Sequence, residues 1–372
     1  MRRRRLIPIV AALALSLPLG ACQSKQDATG TPSPTAAPTA ANTIMPTDTP
    51  GPTDTPAPSD TIVPSGFAAL DGLPADPSVA NRLPLAVMIG DNAAARPQSG
   101  FNAASIVYQA PADGGEDRYM LVFQEKDASD VGPVRSGRPY FVYWAAEYRS
   151  GFAHYGGDER TLQKVIPPIA GSLIYNLDAL FGSGSAFHRI KSRKAPDNAY
   201  TSTASLTATA ARNRYPATMV TGLPTRLFGD DAPLASRPAS GSITIPYGTG
   251  STSYAYDRAT NSYLRSVAGR AQIDSMDGKR VVARDVVVLF MRLSIDPQSE
   301  VGHHRPVLDQ IGSGTAWVFR DGQVIKGTWR KKDQGDLTRF FDSTGAEISL
   351  VRGRIFIQVV PTGTKVSYKA AG

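Results

Sequence analysis

Three glycine-rich turns in the first half of this chain carry arginine. Gly114-Gly115-Glu116-Asp117-Arg118 precedes one apolar run, and Gly132-Pro133-Val134-Arg135-Ser136-Gly137-Arg138-Pro139 precedes an aromatic one. Arg96-Pro97-Gln98-Ser99-Gly100 is the third. A guanidinium is a planar fork that pairs bidentately with carboxylate or phosphate. A helix starting just after Arg138 adds free backbone N–H groups and a positive dipole end. In open α/β sheets ligands bind at the carboxyl ends of strands, where such turns lie. Arg118, Arg135 and Arg138, with Arg96 and His154, are therefore candidate ligand-binding residues for an anion. The competing reading is a structural network in which these arginines tie loops to acids such as Asp113, Glu116 and Asp158.

Ser136 lies between two of the arginines and is a candidate nucleophile, but serine needs a base within reach. His154 is the nearby candidate in the chain, followed by Gly156-Gly157. A lone histidine at a strand end is otherwise a hydrogen-bonded structural residue. The chain lacks the Gly-x-Ser-x-Gly elbow, the phosphate loop, His-Glu-x-x-His and the dinucleotide glycine fingerprint. Its four histidines, His154, His188, His303 and His304, have no metal-ligand spacing. No metal and no other cofactor is expected.

The elements that position these residues read as follows. Leu85 to Ile89, Ala103 to Gln109 and Tyr119 to Gln124 are strand-like, and Phe152 to His154 ends a strand. Pro139 to Tyr148 reads as a helix with proline in its first turn. Glu159 to Val165 and Leu206 to Asn213 have helical composition. Alternating strands and helices predict an α/β N-terminal domain over 67–220. Thr221 to Pro246 reads as a connection. Residues 240–372 predict a mainly β C-terminal domain, with Asp321-Gly322 as a hairpin turn and Val286 to Phe290, Glu347 to Leu350 and Ile355 to Val360 as strands.

The start of the chain gives an address. Arg2 to Arg5, an apolar run from Leu6 to Leu19 and Leu19-Gly20-Ala21-Cys22 have the layout of a lipoprotein export signal. The signal is predicted over 1–21, with Cys22 taking the lipid that attaches the mature protein to a membrane, outside the cytoplasm. Cys22 is the sole cysteine, so no disulfide is expected. Residues 22–66 are rich in proline and threonine, lack aromatics until the folded sequence begins, and read as a disordered tether. Such a segment extends at about 3.1 Å per residue and reaches on the order of 100 Å. Without residues 1–21, which hold four arginines and no acid, the formal charge falls from +8 to +4. That is an ordinary surface, and nucleic acid is not expected as a partner. The run Arg189-Ile-Lys191-Ser-Arg193-Lys194 is a basic loop suited to solvent, or to anionic lipid or polymer.

Taken together, the turns resemble the YerB-like lipoproteins, a family built on a two-part domain of unknown function. The resemblance rests on Arg96-Pro-Gln-Ser-Gly100, Ala104-Ser-Ile-Val-Tyr108, Gly114-Gly-x-x-Arg118, Gly132 to Tyr140, His154-x-Gly-Gly157 and Arg193 to Ser202. Gly327-Thr-Trp329 and Gly353 to Pro361 look like the family's closing hairpin. It implies a tethered, two-part envelope lipoprotein and supplies no activity.

Three functions follow as expectations. The first is a membrane-anchored lipoprotein that binds an anionic or polar envelope ligand through the arginine-bearing turns. The second is a hydrolase or transferase on an envelope glycan or phosphodiester polymer, using Ser136 or His154. The third is an interaction module whose β part docks another envelope protein.

Overall fold

The computed structural model describes residues 66–370 apart from Glu300. The predicted signal, Cys22 and nearly all of the tether lie outside the described residues.

Apolar segments from both halves of the chain build one ten-stranded mixed sheet. From edge to edge its strands are Arg339–Phe341, Gln323–Lys331, Gly312–Arg320, Asp285–Met291, Ile355–Pro361, Ile106–Pro111, Asp117–Phe123, Leu85–Asp91, Gly151–His154 and Tyr175–Asp178. The seam is Ile355–Pro361, which runs parallel to a neighbour on each side, with Ile106 opposite Ile355 and Val107 opposite Phe356. A strand with parallel partners on both sides has both faces covered, which is why its sequence is an almost unbroken apolar run. The N-terminal part is α/β and the C-terminal part mainly β, yet hydrogen bonding continues through both. The compositional change near residue 240 marks a switch from helical to hairpin connections, not a break in the sheet.

Side chains alternate across this sheet. Ala86, Met88, Tyr108, Met120 and Ile357 face the layer of helix Pro139–Ala146, where Tyr140, Phe141 and Trp144 pack. Val87, Ile89, Tyr119, Val286 and Phe356 face a six-stranded second sheet through its Ile243, Ile245, Tyr254 and Tyr263. A fully buried arginine that the sequence did not single out joins the two sheets. Arg265 donates to the Gln109 Oε1 at 2.6 Å and to the Tyr119 and Tyr254 hydroxyls at 3.1 Å. Its guanidinium also lies against the Tyr119 and Phe356 rings.

Local signals account for several boundaries. Pro139 occupies the first helical turn. Ser202 caps Thr203–Arg212, its Oγ accepting the Ser205 N–H at 3.1 Å. Asp321 and Gly322 have φ of 51° and 76°, the left-handed pair that a tight hairpin requires. Two expectations shift. The segment read as a helix from Glu159 is a wide π-helical turn, Arg160–Val165. The strand expected from Glu347 is only Leu350–Val351, paired in parallel with Phe228–Gly229.

One core carboxyl carries a pH prediction. Asp285 is fully buried, accepts the Val351 N–H at 3.2 Å and has no partner for Oδ2. Burial pushes its pKa up to about 8, against the pull of the Val351 bond and of Arg320 and Arg284. An acid with a raised folded pKa favours folding below its unfolded pKa, near 3.9, and loses that contribution as pH rises toward 8. Asp285→Asn is therefore expected to match the parent near pH 4 and to exceed it by up to roughly 4 kcal/mol at pH 7. Denaturant titrations across that range measure the difference, and a constant offset would contradict the burial argument.

Candidate functional site

The three arginine turns are not equivalent. Arg96 is held against Asp91, donating from Nε at 2.9 Å and Nη2 at 2.7 Å. Arg135 pairs with the buried Asp197 at 2.6 Å and reaches Glu116 at 3.7 Å. Arg138 grips Asp113 with two donors, Nε at 2.8 Å and Nη2 at 2.5 Å, and lies 3.6 Å from Asp158. Arg118 differs. It is buried, donates from Nη1 to the Ser136 carbonyl at 2.7 Å, and its Nε has no partner. Among the described residues no carboxylate forms an ion pair with it.

The electrostatics separate Arg118 from Arg138. Burial, then the neighbouring Arg138 charge, pushes the Arg118 guanidinium down to about 9, still protonated at neutral pH, despite the pull of Asp113. Burial also works against the Arg138 charge, but its hydrogen bonds to Asp113 and the charges of Asp113 and Asp158 prevail and raise its pKa. Asp113 is lowered because Arg138, Arg118 and Arg305 together outweigh its burial.

His154 and Ser136 do not form a nucleophile–base pair in this structure. His154 is buried at the end of its strand, with Nδ1 2.7 Å from the Gly156 carbonyl and Nε2 2.8 Å from Asn176 Oδ1. Both ring nitrogens are thus engaged within the fold, as expected of a structural histidine. Ser136 is half-buried, and its carbonyl oxygen, not its hydroxyl, is what Arg118 contacts.

Beside Arg138 the surface opens into a cleft of about 80 Å³ at the start of helix Pro139–Ala146. The first half of the chain supplies Arg138, Tyr140, Tyr143, Asp158 and Arg160 to its walls. The second half supplies Asp296, Arg305 and Gln310, carried by or next to the hairpin of Leu293–Ile295 and Pro306–Leu308. Asp158 is fixed by accepting the Thr161 N–H and hydroxyl, both at 2.9 Å. Arg160 is exposed and lies 3.1 Å from Asp296. Gln310 is 5% exposed, with an unpartnered Oε1. A side-chain amide in that position can present either its oxygen or its nitrogen to a bound group. No side-chain cap closes the helix at Arg138. The cleft therefore sets guanidinium groups, each facing a carboxylate, and one amide beside aromatic walls.

Of the sequence candidates, the structure places Arg138 on the cleft wall and Arg118 in electrostatic contact behind it. Arg96, Arg135 and His154 have partners elsewhere. Arg160, Asp296, Arg305 and Gln310 carried no local signal, because none lies in a glycine turn and two halves of the chain must meet to bring them together.

Comparison with known proteins places these elements in a wider group. The model described as Protein of unknown function (DUF3048) N-terminal domain matches residues 70–216, and its C-terminal counterpart matches residues 243–357. YerB of Bacillus subtilis (strain 168), named as a lipoprotein, is 31% identical over 309 residues, which is 79% of this chain and 86% of that protein. The crystal structure of YerB protein from Bacillus subtilis matches with a TM-score of 0.71 and 27% identity, over 82% of this chain and 99% of that one. The arginine turns and both walls of the cleft fall inside the matched regions, and the chain belongs to the DUF3048 family of YerB-like lipoproteins.

Proposed function

We propose that the protein is a lipid-anchored extracytoplasmic lipoprotein that binds an anionic or polar envelope ligand in the cleft before helix Pro139–Ala146. In this reading Cys22 carries the lipid and residues 22–66 give the body its reach. The lipoprotein relative supports the address. Among the described residues no helix is long and apolar enough to cross a membrane.

The observation that carries the ligand reading is the paired guanidinium arrangement at the helix start. Arg118 and Arg138 share the neighbourhood of Asp113, and only Arg138 holds that carboxylate by hydrogen bonds. The helix dipole adds positive potential at the same end. The cleft, about 80 Å³, has room for one carboxylate or phosphate group. The ligand therefore enters by one acid group, with Tyr143 and Arg160 beside the rest of its unit.

Thermal-shift titration of the mature chain carrying Cys22→Ser tests this, with inorganic phosphate, sugar phosphates and uronic acids as probes. At least one probe is expected to raise the melting temperature saturably. Arg160→Ala should weaken its binding by roughly tenfold or more, the scale of a charged hydrogen bond. Arg135→Ala, whose partner lies off the cleft, should leave affinity unchanged. No probe shifting the parent more than Arg160→Ala would defeat the reading.

A further inference from the structure

A second surface, separate from the cleft, combines exposed apolar side chains with a stretch of chain that carries cations and no acid. Between Asp178 and Asp197 the chain holds Arg189, Lys191, Arg193 and Lys194 and no acid. The two bounding acids point inward. Asp178 accepts the Gly156 and Leu180 N–H groups at 3.0 and 2.9 Å, and Asp197 is paired with Arg135. Arg193 fixes the loop by donating to the Ala95 and Pro97 carbonyls, while Arg189, Lys191 and Lys194 stand exposed.

Just ahead of this loop in the chain, Leu180 and Phe181 form the tip of a turn and are 56% and 67% exposed. The two features are joined through aromatic contacts. Leu180 packs so closely over Gly156 that any side chain there would strike it. The adjacent Tyr155 carries the Arg189 guanidinium 4.6 Å over its ring and meets Phe187 edge-on. A single exposed leucine is unremarkable on a protein surface. An exposed Leu-Phe tip joined to the exposed Arg189 through Tyr155 and Gly156 is a different case.

We propose that this patch docks the folded body on an anionic bilayer surface, with Leu180 and Phe181 entering the interface and Arg189, Lys191 and Lys194 meeting headgroup phosphates. Charge complementarity selects an anionic partner, and the apolar tip selects among anionic partners. A soluble phosphodiester polymer has no apolar phase for Leu180 and Phe181 to enter, whereas a membrane interface offers both charge and hydrocarbon. The lipid anchor proposed at Cys22 would raise the effective concentration of that surface, so that a patch of modest affinity suffices. The inference uses none of the cleft residues that hold the proposed ligand and stands if that reading fails.

The test is sedimentation of the mature Cys22→Ser chain with vesicles of phosphatidylcholine alone or mixed with phosphatidylglycerol. Binding is expected only to the mixed vesicles and should weaken with salt. Leu180→Ser combined with Phe181→Ser should lower partitioning at least about tenfold, the scale of withdrawing two apolar side chains from the interface. Lys191→Gln and Lys194→Gln should each cost roughly fivefold on mixed vesicles. All four sites are exposed, and matching melting temperatures verify folding. In a second readout, Phe181→Trp should show a blue-shifted emission on mixed vesicles. No sedimentation with mixed vesicles, or equal partitioning of the serine variant, overturns the proposal. So does binding of a soluble glycerol-phosphate polymer that depends on the lysines while vesicle binding ignores Leu180 and Phe181.

Discussion

Glu147→Gln is expected to cost the folded state about 3–5 kcal/mol, although it barely changes the side chain's size. Glu147 follows the Pro139–Ala146 helix and is buried among groups from distant parts of the chain. Lys331 Nζ lies 3.0 Å from Oε1, and both side chains are fully buried. The Thr338 hydroxyl donates to Oε1 at 2.6 Å and its N–H to Oε2 at 3.2 Å. Arg226 lies 3.6 Å from Oε2 and also donates to the Tyr148 hydroxyl. One carboxylate thus answers two buried cations. Replacing it by an amide leaves Lys331 and Arg226 with neutral acceptors alone, the costly arrangement for charges in low dielectric. Lys331→Met should cost less, because Arg226 still faces the carboxylate. The double variant should recover part of the Glu147→Gln loss, and that coupling separates charge from packing. Urea denaturation measures all three. A loss below about 1 kcal/mol for Glu147→Gln would mean that the neutral acceptors, such as the Asp336 carbonyl on Lys331, suffice.

This network shows where the sequence stops being informative about the fold. Apolar runs such as Val286 to Phe290 and Ile355 to Val360 announce buried strands, because both faces are covered and no alternation is needed. The Asp321-Gly322 turn and the Ser202 cap announce themselves because each demands a particular residue at a particular backbone conformation. The partner of Ile355–Pro361 carries no such mark. Its parallel pairing with Ile106–Pro111 joins segments far apart in the chain, and any apolar strand satisfies the same composition. The inward positions of Glu147, Lys331 and Arg265 are hidden for the opposite reason. Those residue types lie outside in most proteins, and only a completed three-dimensional network makes their burial tolerable.

The candidate site divides along the same line. Glycine turns made Arg118, Arg135, Arg138 and Arg96 visible, since closely spaced glycine marks backbone that approaches something. The turns could not say what each guanidinium meets. Asp91, Asp197 and Asp113 claim three of them: Arg96 meets Asp91 within its own turn, while Arg135–Asp197 and Arg138–Asp113 join segments far apart in the chain. Arg118 escapes because it sits one layer in, behind Arg138, where its charge is opposed by burial and by that neighbour. The second wall of the cleft, with Asp296, Arg305 and Gln310, comes on a separate two-stranded hairpin that follows the Asp285–Met291 strand, and no local motif announces it.

Cys22→Ser is expected to move the protein out of the salt-resistant membrane fraction almost completely. If Cys22 carries the lipid, its acyl chains account for nearly all the membrane affinity, since one chain alone holds a protein only marginally and two hold it stably. The Leu180–Phe181 patch contributes far less, and its charge-dependent part is screened as salt rises. The two attachments are therefore separable by washing. Lipidated protein should remain with membranes in low and high salt, while the serine variant should remain only weakly in low salt and leave in high salt. Combining Cys22→Ser with Leu180→Ser and Phe181→Ser should remove the low-salt fraction as well. The alternative anchor is the uncleaved Leu6 to Leu19 run, which is shorter than the ~20 residues a spanning helix needs. Salt-resistant retention of the serine variant, with the N-terminal sequence still intact, would point to that run and count against lipid on Cys22. Release of a chain beginning at or near residue 22 would instead show that export and cleavage continue while attachment is lost.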